Sequence, residues 1–566
     1  MGKSRLILDV ALVSVLGVAV LGATVALKSS QRDLAFFDPI IDVKHLIDTR
    51  FVDEVDETSL QTAAIAGMIG ELDDPFTTYV PAEQVQDFSK SLTGEYVGIG
   101  AQISLRDGWL TIVSPLEDSP AFRVGLMPDD RVVAIEGETT FQQSIDQAIE
   151  KLTGDAGTPV TITIEREGER FDVEIIREAI KTRSIKGFHR DPADPERWLH
   201  TIDPDSSIAY IRITQFTPGV ASEFAAALAQ ARSAHGPVRG LVLDVRSNPG
   251  GVLEEAAAIA DMLLDGGTIL KTRGRNRPES VFTAEPGGLF TEGPIVVLIN
   301  GGSASASEIL AGALKDNLPD RTVVLGTRTF GKGSVQNVLT LPSSAGGAQL
   351  KLTEQYYYLP SGKLVHRTPD ATEWGVDPTD GFHLPLTNDD ASLLFERRRE
   401  QEVLRADATE EGADGEIELE RWDDPAWIVD KLADPQLAAA LDAITAKLAT
   451  GEWQRTGEPL PALAERSTTE LADARLYRER LLRDLERIEG RIEELGTIAS
   501  NPDAAPAIDL WSDELSIDGG RVIITDREGK RVADLRVTNP NIERWFIDAG
   551  LEPVEQSDAP PQDGTR

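Results

Sequence analysis

The sequence predicts a multidomain α/β (α+β) chain, built from a helical lead-in, a β-rich module, an α/β core and a helical plus small β C-terminal extension. Three observations predict it. The chain has 566 residues, too many for one hydrophobic core when domains average ~150 residues. Its apolar pattern switches several times between strand and helix periods. Hydrophobic residues at 41% and charged residues at 27% suit folded soluble domains, and argue against both wholesale disorder and a polytopic membrane protein.

Lys3 and Arg5 precede an apolar run from Leu6 to Leu27, interrupted by Asp9, before the chain turns polar at Lys28-Ser29-Ser30. A run of ~20 residues can span a bilayer, whereas the apolar part of a secretory signal is ~7–15. Residues 1–30 are therefore expected to be a signal-anchor or transmembrane segment, with cleavage near Thr24-Val25-Ala26 as the alternative. Either way the bulk is expected outside the cytoplasm: periplasmic and membrane-anchored in the cell envelope, or exported if the segment is cleaved.

Residues 31–92 read as helical, with Ile65, Met68, Ile69 and Leu72 at helical spacing and Asp73-Asp74-Pro75 as a stop. Over 93–181 the pattern becomes β-rich, in Trp109–Val113, Arg131–Ile135, Val160–Ile164 and Phe171–Ile176, with one helical stretch at Phe141–Leu152. From 182 to 385, the runs Ile208–Ile213, Gly240–Val245, Ile295–Ile299 and Thr322–Leu325 alternate with helical segments, the pattern of buried strands in an α/β core. The composition shifts after Leu384. Residues 386–460 read as an acidic linker and helical region, with Asp407–Asp424 a solvated linker or exposed face. Within 461–500, Leu471, Ala474, Leu481, Leu485, Ile488, Ile492 and Leu495 form a heptad seam, either one amphipathic helix or a short coiled coil. Val522–Asp526 and Arg531–Leu535 flank Glu528-Gly529-Lys530 as a hairpin in a small module over 501–555, and 556–566 is a loose, disordered tail.

The chain carries 95 Asp+Glu against 56 Lys+Arg, a net charge of −39. This surplus opposes a phosphate backbone, so no nucleic-acid partner is expected; roughly half of it lies after Leu384. With no cysteine, disulfides, thiolate zinc sites and cysteine nucleophiles are excluded, and covalent chemistry falls to Ser, Thr, Lys or a carboxylate. No H-E-x-x-H or EF-hand spacing is present, so neither metal nor cofactor is expected.

Three stretches can carry chemistry. Asn248-Pro249-Gly250-Gly251 ends an apparent strand in a tight turn whose N–H groups could face an anion. Gly301-Gly302-Ser303-Ala304-Ser305-Ala306-Ser307-Glu308 leads from a strand into a helix, where a serine would feel the positive end of the dipole. Ser305-Ala306-Ser307-Glu308 also fits a capping box, so spacing alone leaves Ser303, Ser305 and Ser307 open as nucleophiles. Gly326-Thr327-Arg328-Thr329-Phe330-Gly331-Lys332-Gly333 resembles a phosphate-binding loop, but Gly333 replaces the hydroxyl that would bind Mg²⁺. Walled in by apolar groups, Lys332 could instead become a neutral amine able to take a proton.

Together these stretches resemble the C-terminal processing peptidases, the carboxyl-terminal or tail-specific proteases. The resemblance rests on Asn248-Pro249-Gly250-Gly251, Gly302-Ser303-Ala304-Ser305-Ala306-Ser307-Glu308 and Phe330-Gly331-Lys332-Gly333-Ser334-Val335-Gln336. It extends to Asp74-Pro75-Phe76-Thr77-Thr78-Tyr79 and Tyr358-Leu359-Pro360-Ser361-Gly362-Lys363, over residues 36–382. It implies a peptidase core of crotonase/ClpP-like type, with Ser305 as nucleophile, Lys332 as general base, Gln336 orienting the lysine, and the N–H groups of Gly251 and Ala306 as oxyanion donors. The β-rich module resembles an inserted PDZ domain, in which Gly98-Ile99-Gly100 would hold a peptide carboxylate, with Ser119-Pro120-Ala121 and Gly125-Leu126 continuing the likeness. Asp129 departs from the glycine usual in that turn. The implied partners are proteins or peptides with accessible C-termini, besides the membrane through residues 1–30 and a homo-oligomer or adaptor through the C-terminal helix.

Two alternatives compete. A histidine-based serine hydrolase would draw on His366. A non-catalytic envelope scaffold would bind C-termini without cleaving them.

Overall fold

The four apolar runs of the core become four neighbouring parallel strands, β1 (Ile208–Ile213), β2 (Gly240–Asp244), β3 (Ile295–Ile299) and β4 (Thr322–Gly326), in chain order across the sheet. Such runs suit strands covered on both faces. Leu241, Leu243, Val297 and Val324 point into one layer, with α1 (Val220–His235), α2 (Leu253–Leu263) and α3 (Ala306–Asn317). Val242, Val296, Leu298, Val323 and Leu325 point into the other. After β4 the chain forms the antiparallel pair β5 (Ser334–Thr340) and β6 (Gln349–Tyr358). β6 also pairs with Gly267–Arg273 and with the lead-in strand Thr78–Val80.

The computed structural model describes residues 35–460 except 87, 90–94, 107, 167, 182, 192–193, 204, 343–346, 369–370 and 405–421. Beyond 460 it describes the helical positions 475, 478, 482 and 485 and two strands, Arg521–Thr525 and Arg531–Arg536. The chain divides into two compact units, Met1–Pro461 and Ala462–Arg566. In the second unit the two strands pair antiparallel with Val522 opposite Leu535, as the hairpin pattern predicts. The apolar run Leu6–Leu27, most of Asp407–Asp424, the heptad seam apart from Leu485, and the tail lie outside the described residues. Among the described residues no helix is long and apolar enough to cross a membrane.

The lead-in contains a helix over 35–50 and a second at Glu57–Gly70, whose N-cap Asp56 accepts the Ser59 N–H at 2.7 Å. The β module is a sheet in the order Ala101–Arg106, Trp109–Pro115, Arg131–Ile135, Pro159–Arg166, Glu169–Ile176. Its first and last segments, Glu95–Gly98 and Glu178–Lys181, pair antiparallel where the chain enters and leaves. The helix expected from Phe141 begins instead at Ile145, because Ser144 and Gln147 close a capping box there; Phe141 packs on Trp109 at 4.9 Å between ring centroids. Asp129, in place of the usual glycine, sits at φ 69 and pairs with Arg106.

The composition shift after Leu384 does not end the core. α4 (Asn388–Glu402), α5 (Pro425–Leu432) and α6 (Pro435–Thr450) follow it, and α6 lays Leu437, Ala440, Leu441 and Ile444 on the second face of the sheet. The sequence reading missed this because the segment's acidity sits beside an Ala- and Leu-rich helix whose burial depends on a distant partner. The contact is pinned by charges, of which Asp244, Arg246 and Asp434 are buried and Arg398 partly so. Arg246 reaches Asp244 at 2.6 Å and Asp434 at 2.8 Å, Arg398 reaches the same two carboxylates at 2.7 and 3.1 Å, and Tyr210 donates to Asp244 at 2.8 Å. Burial alone raises the Asp244 carboxyl, but Arg246 and Arg398 outweigh it and hold the group well below the usual carboxylate range. Removing one partner strands the others. Asp434→Ala is expected to destabilise the chain by about 3–5 kcal/mol, read from the midpoint of urea unfolding.

Candidate active site

The three candidate stretches are the loops that leave the C-terminal ends of β2, β3 and β4, which is why segments well apart in sequence meet. Backbone bonds hold them together: the Ala304 N–H donates to the Asn248 carbonyl at 2.9 Å, and the Phe330 N–H to the Ser303 carbonyl at 3.0 Å. Asn248 is fully buried. Its side chain donates to the Ile213 carbonyl at 2.8 Å and accepts the Gly250 N–H at 2.9 Å, bracing the turn from inside. A Cβ on Gly250, at φ 97, would lie 2.7 Å from Ser305 Cβ, so only glycine lets this turn close against the serine.

Structure separates the three serines that spacing could not. Ser303 and Ser307 are fully buried, and their hydroxyls donate to the Val245 carbonyl at 2.7 Å and the Asn248 carbonyl at 3.0 Å. Ser305 is partly exposed and sits at φ 55, a conformation that side chains seldom adopt and that often marks functional sites. The capping box is present. It is compatible with a nucleophile, because a capping hydroxyl only accepts and keeps its proton. The N–H groups of Ala306, at the first turn of α3, and of Gly251 donate to no acceptor among the described residues.

Glu308 joins serine and lysine. Its buried carboxylate accepts the N–H groups of Ser305 (2.8 Å), Gly331 (2.7 Å) and Lys332 (2.9 Å), besides the Thr329 hydroxyl (2.6 Å). The Tyr357 hydroxyl lies 2.6 Å from the Lys332 carbonyl and 3.1 Å from the Ser305 carbonyl. Burial raises the Glu308 carboxyl, while its four N–H and hydroxyl donors work the other way. Lys332 is depressed by burial first and by Lys351 second; Glu308 and Asp74 oppose this. Sequence reasoning saw Glu308 only as a cap and missed Tyr357 and Thr329. The one available signal was a carboxylate placed where the helix would bury it.

Other expected residues fall differently. Gln336 is not hydrogen-bonded to Lys332; its amide donates to Ser334 at 2.8 Å and Thr353 at 3.1 Å. His366 packs on Tyr356 with ring centroids 4.9 Å apart, its buried Nδ1 is unpaired, and it makes no hydrogen bond to Ser305. The loop bearing Lys332 runs from strand to strand, so the phosphate-loop geometry, which needs a following helix, is absent. In the β module Ala101–Arg106 is an edge strand, and the Ile99 and Gly100 N–H groups just before it donate to no acceptor among the described residues. Gly98 lies in the ladder opposite Glu178.

Fold and site together define a peptidase with an inserted PDZ domain. Residues 207–379 match the model for Peptidase family S41, 111–166 that for the PDZ domain, and 23–84 that for the activating protease CtpB N-terminal domain. Over 351 residues the chain is 38% identical to a carboxy-terminal-processing protease of Bartonella bacilliformis, covering 61% of this chain and 75% of that one. It is 31% identical over 362 residues to the carboxy-terminal processing protease CtpA of Bacillus subtilis, covering 63% and 71%. A solved photosystem II D1 C-terminal processing protease aligns at 24% identity and TM-score 0.36, covering 61% and 86%. The chain belongs to the carboxy-terminal-processing protease family.

Glu308→Gln replaces one of two accepting oxygens by a donor facing N–H groups. It is expected to lower kcat about 100-fold by misplacing the reacting groups, while peptide binding by the PDZ domain, followed by fluorescence anisotropy, is unchanged.

Proposed function

We propose that this chain is a serine endopeptidase that recognises protein C-termini through its PDZ domain and cleaves peptide bonds by a Ser–Lys mechanism. The three serines carry the proposal. Two are buried with their hydroxyls engaged, and the third is accessible, strained and beside two unused amide donors. Neutral Lys332 removes the Ser305 proton as Oγ attacks the peptide carbonyl, and the oxygen's developing charge is met by the N–H groups of Gly251 and Ala306. The protonated lysine returns its proton to the departing amine, and water then hydrolyses the acyl-enzyme. Burial assists the base, because desolvation disfavours the ammonium. A peptide C-terminus would add as a strand to Ala101–Arg106, its carboxylate against the Ile99 and Gly100 N–H groups at the end of the Gly98-Ile99-Gly100 loop. Residues 1–30 would anchor the enzyme with its bulk outside the cytoplasm.

Ser305→Ala is expected to lower cleavage of an unstructured peptide with an apolar C-terminus by about 1000-fold or more while retaining binding. Equal turnover by mutant and wild type would leave only the scaffold. His366→Ala is expected to keep activity, and Lys332→Met to lose it. Since the neutral amine is the active form, kcat/KM should rise with pH through a midpoint below the ordinary lysine value of 10.5, measured as a pH–rate profile.

A further inference from the structure

Lys332 does not engage Ser305 in this structure. Its Nζ lies over the face of the Phe76 ring, 5.0 Å from the centroid, and no hydrogen bond or ion pair from Nζ is present among the described residues. Phe76 belongs to the lead-in, more than 250 residues upstream of the lysine. Asp74 folds the segment into place: its carboxylate accepts the Phe76 N–H at 3.1 Å and the Thr77 hydroxyl at 2.6 Å. Thr77 accepts the Thr353 N–H at 3.2 Å, and Thr78 pairs opposite Lys351 on β6. The lead-in is thus stitched into the same sheet that flanks the lysine loop.

The groups facing the amine come from several elements. Asp74 on the lead-in and Glu308 on α3 favour its charged form, and Lys351 on β6 disfavours it. His366 also stands against Phe76, at 6.3 Å between ring centroids, and burial lowers it from the usual histidine value. Burial raises the Asp74 carboxyl, but the bonds from Thr353 and Thr77 hold it below its ordinary value, so it is ionised at neutral pH. An aromatic face attracts an ammonium and not a neutral amine.

We propose that Asp74 and Phe76 are positioning residues for the reaction: they seat the Lys332 ammonium on the Phe76 ring, off the Ser305 hydroxyl, until bound peptide draws it away. This rests on the Ser–Lys proposal. The lead-in then governs when the base is available, because the seat stabilises only the form of the lysine that cannot act as a base.

The test measures the Lys332 amine directly. Full-length Ser305→Ala protein is labelled with trace acetic anhydride across a pH series, and modification of Lys332 is read by peptide mass spectrometry. Asp74→Asn and Phe76→Leu, each added to that background, are expected to lower the labelling midpoint by about half a pH unit or more, whereas Phe76→Tyr, which keeps a ring face, holds it. With Ser305 intact, the pH profile of kcat/KM should shift the same way in the first two variants. A purely structural role would lower activity without moving the labelling midpoint. Labelling midpoints in Asp74→Asn and Phe76→Leu equal to that of the Ser305→Ala parent would overturn the seat. Midpoints that move while the kcat/KM profile stays put would uphold the seat and sink Lys332 as the base.

Discussion

The candidate active site depends on one buried carboxylate. Glu308 has no ion-pair partner among the described residues, and its charge is met by N–H and hydroxyl donors from Ser305, Thr329, Gly331 and Lys332. A charge buried this way is tolerable only if its donors stay in place. The cost of losing them is therefore what keeps the serine turn and the lysine loop in fixed relation. Tyr357 adds to this, its hydroxyl lying near the carbonyls of both Ser305 and Lys332. One carboxylate thus coordinates the backbone on both sides of the proposed reaction without itself touching substrate.

A second buried polar group works at the same ends of the strands. Asp244, Arg246, Arg398 and Asp434 balance two negative and two positive charges and tie the start of the Asn248–Gly251 turn to α4 and to the N-terminal cap of α6. Two residues after Arg246, Asn248 braces that turn and supports the serine loop. The C-terminal helices are connected by this route to the site. At the end of α4, Glu402 pairs with Arg212 of the core strand β1, and just beyond the helix the Leu404 N–H donates to Ser114 of the PDZ domain at 2.9 Å.

Much of the fold was legible. The four core strands appear where continuous apolar runs place them, and the β module and the final hairpin follow from alternation and turn residues. The helix expected from Phe141 starts late because a local cap outranks periodicity. The helices after Leu384 were missed as core because composition reports acidity over a segment, while burial is decided by single faces. In the site, the loops were legible as motifs, but the choice among Ser303, Ser305 and Ser307 was not, since all three have the same chemistry and similar neighbours. Gln336 shows the converse: a residue in the motif whose hydrogen bonds go to Ser334 and Thr353 instead of the lysine.

By itself, the sequence determined the inventory: no thiol chemistry, strands apolar on both faces, turns that only glycine can close, and a serine and a lysine in loops that follow strands. It also implied that something must cover the second face of the sheet. Tertiary structure alone decided that α6 is the cover, that Glu308 links serine to lysine, and that Phe76 rather than Ser305 receives the lysine amine. These are contacts between residues far apart in the chain. Their partners are chosen by the shape and charge left unsatisfied once the sheet has formed, which no local pattern records.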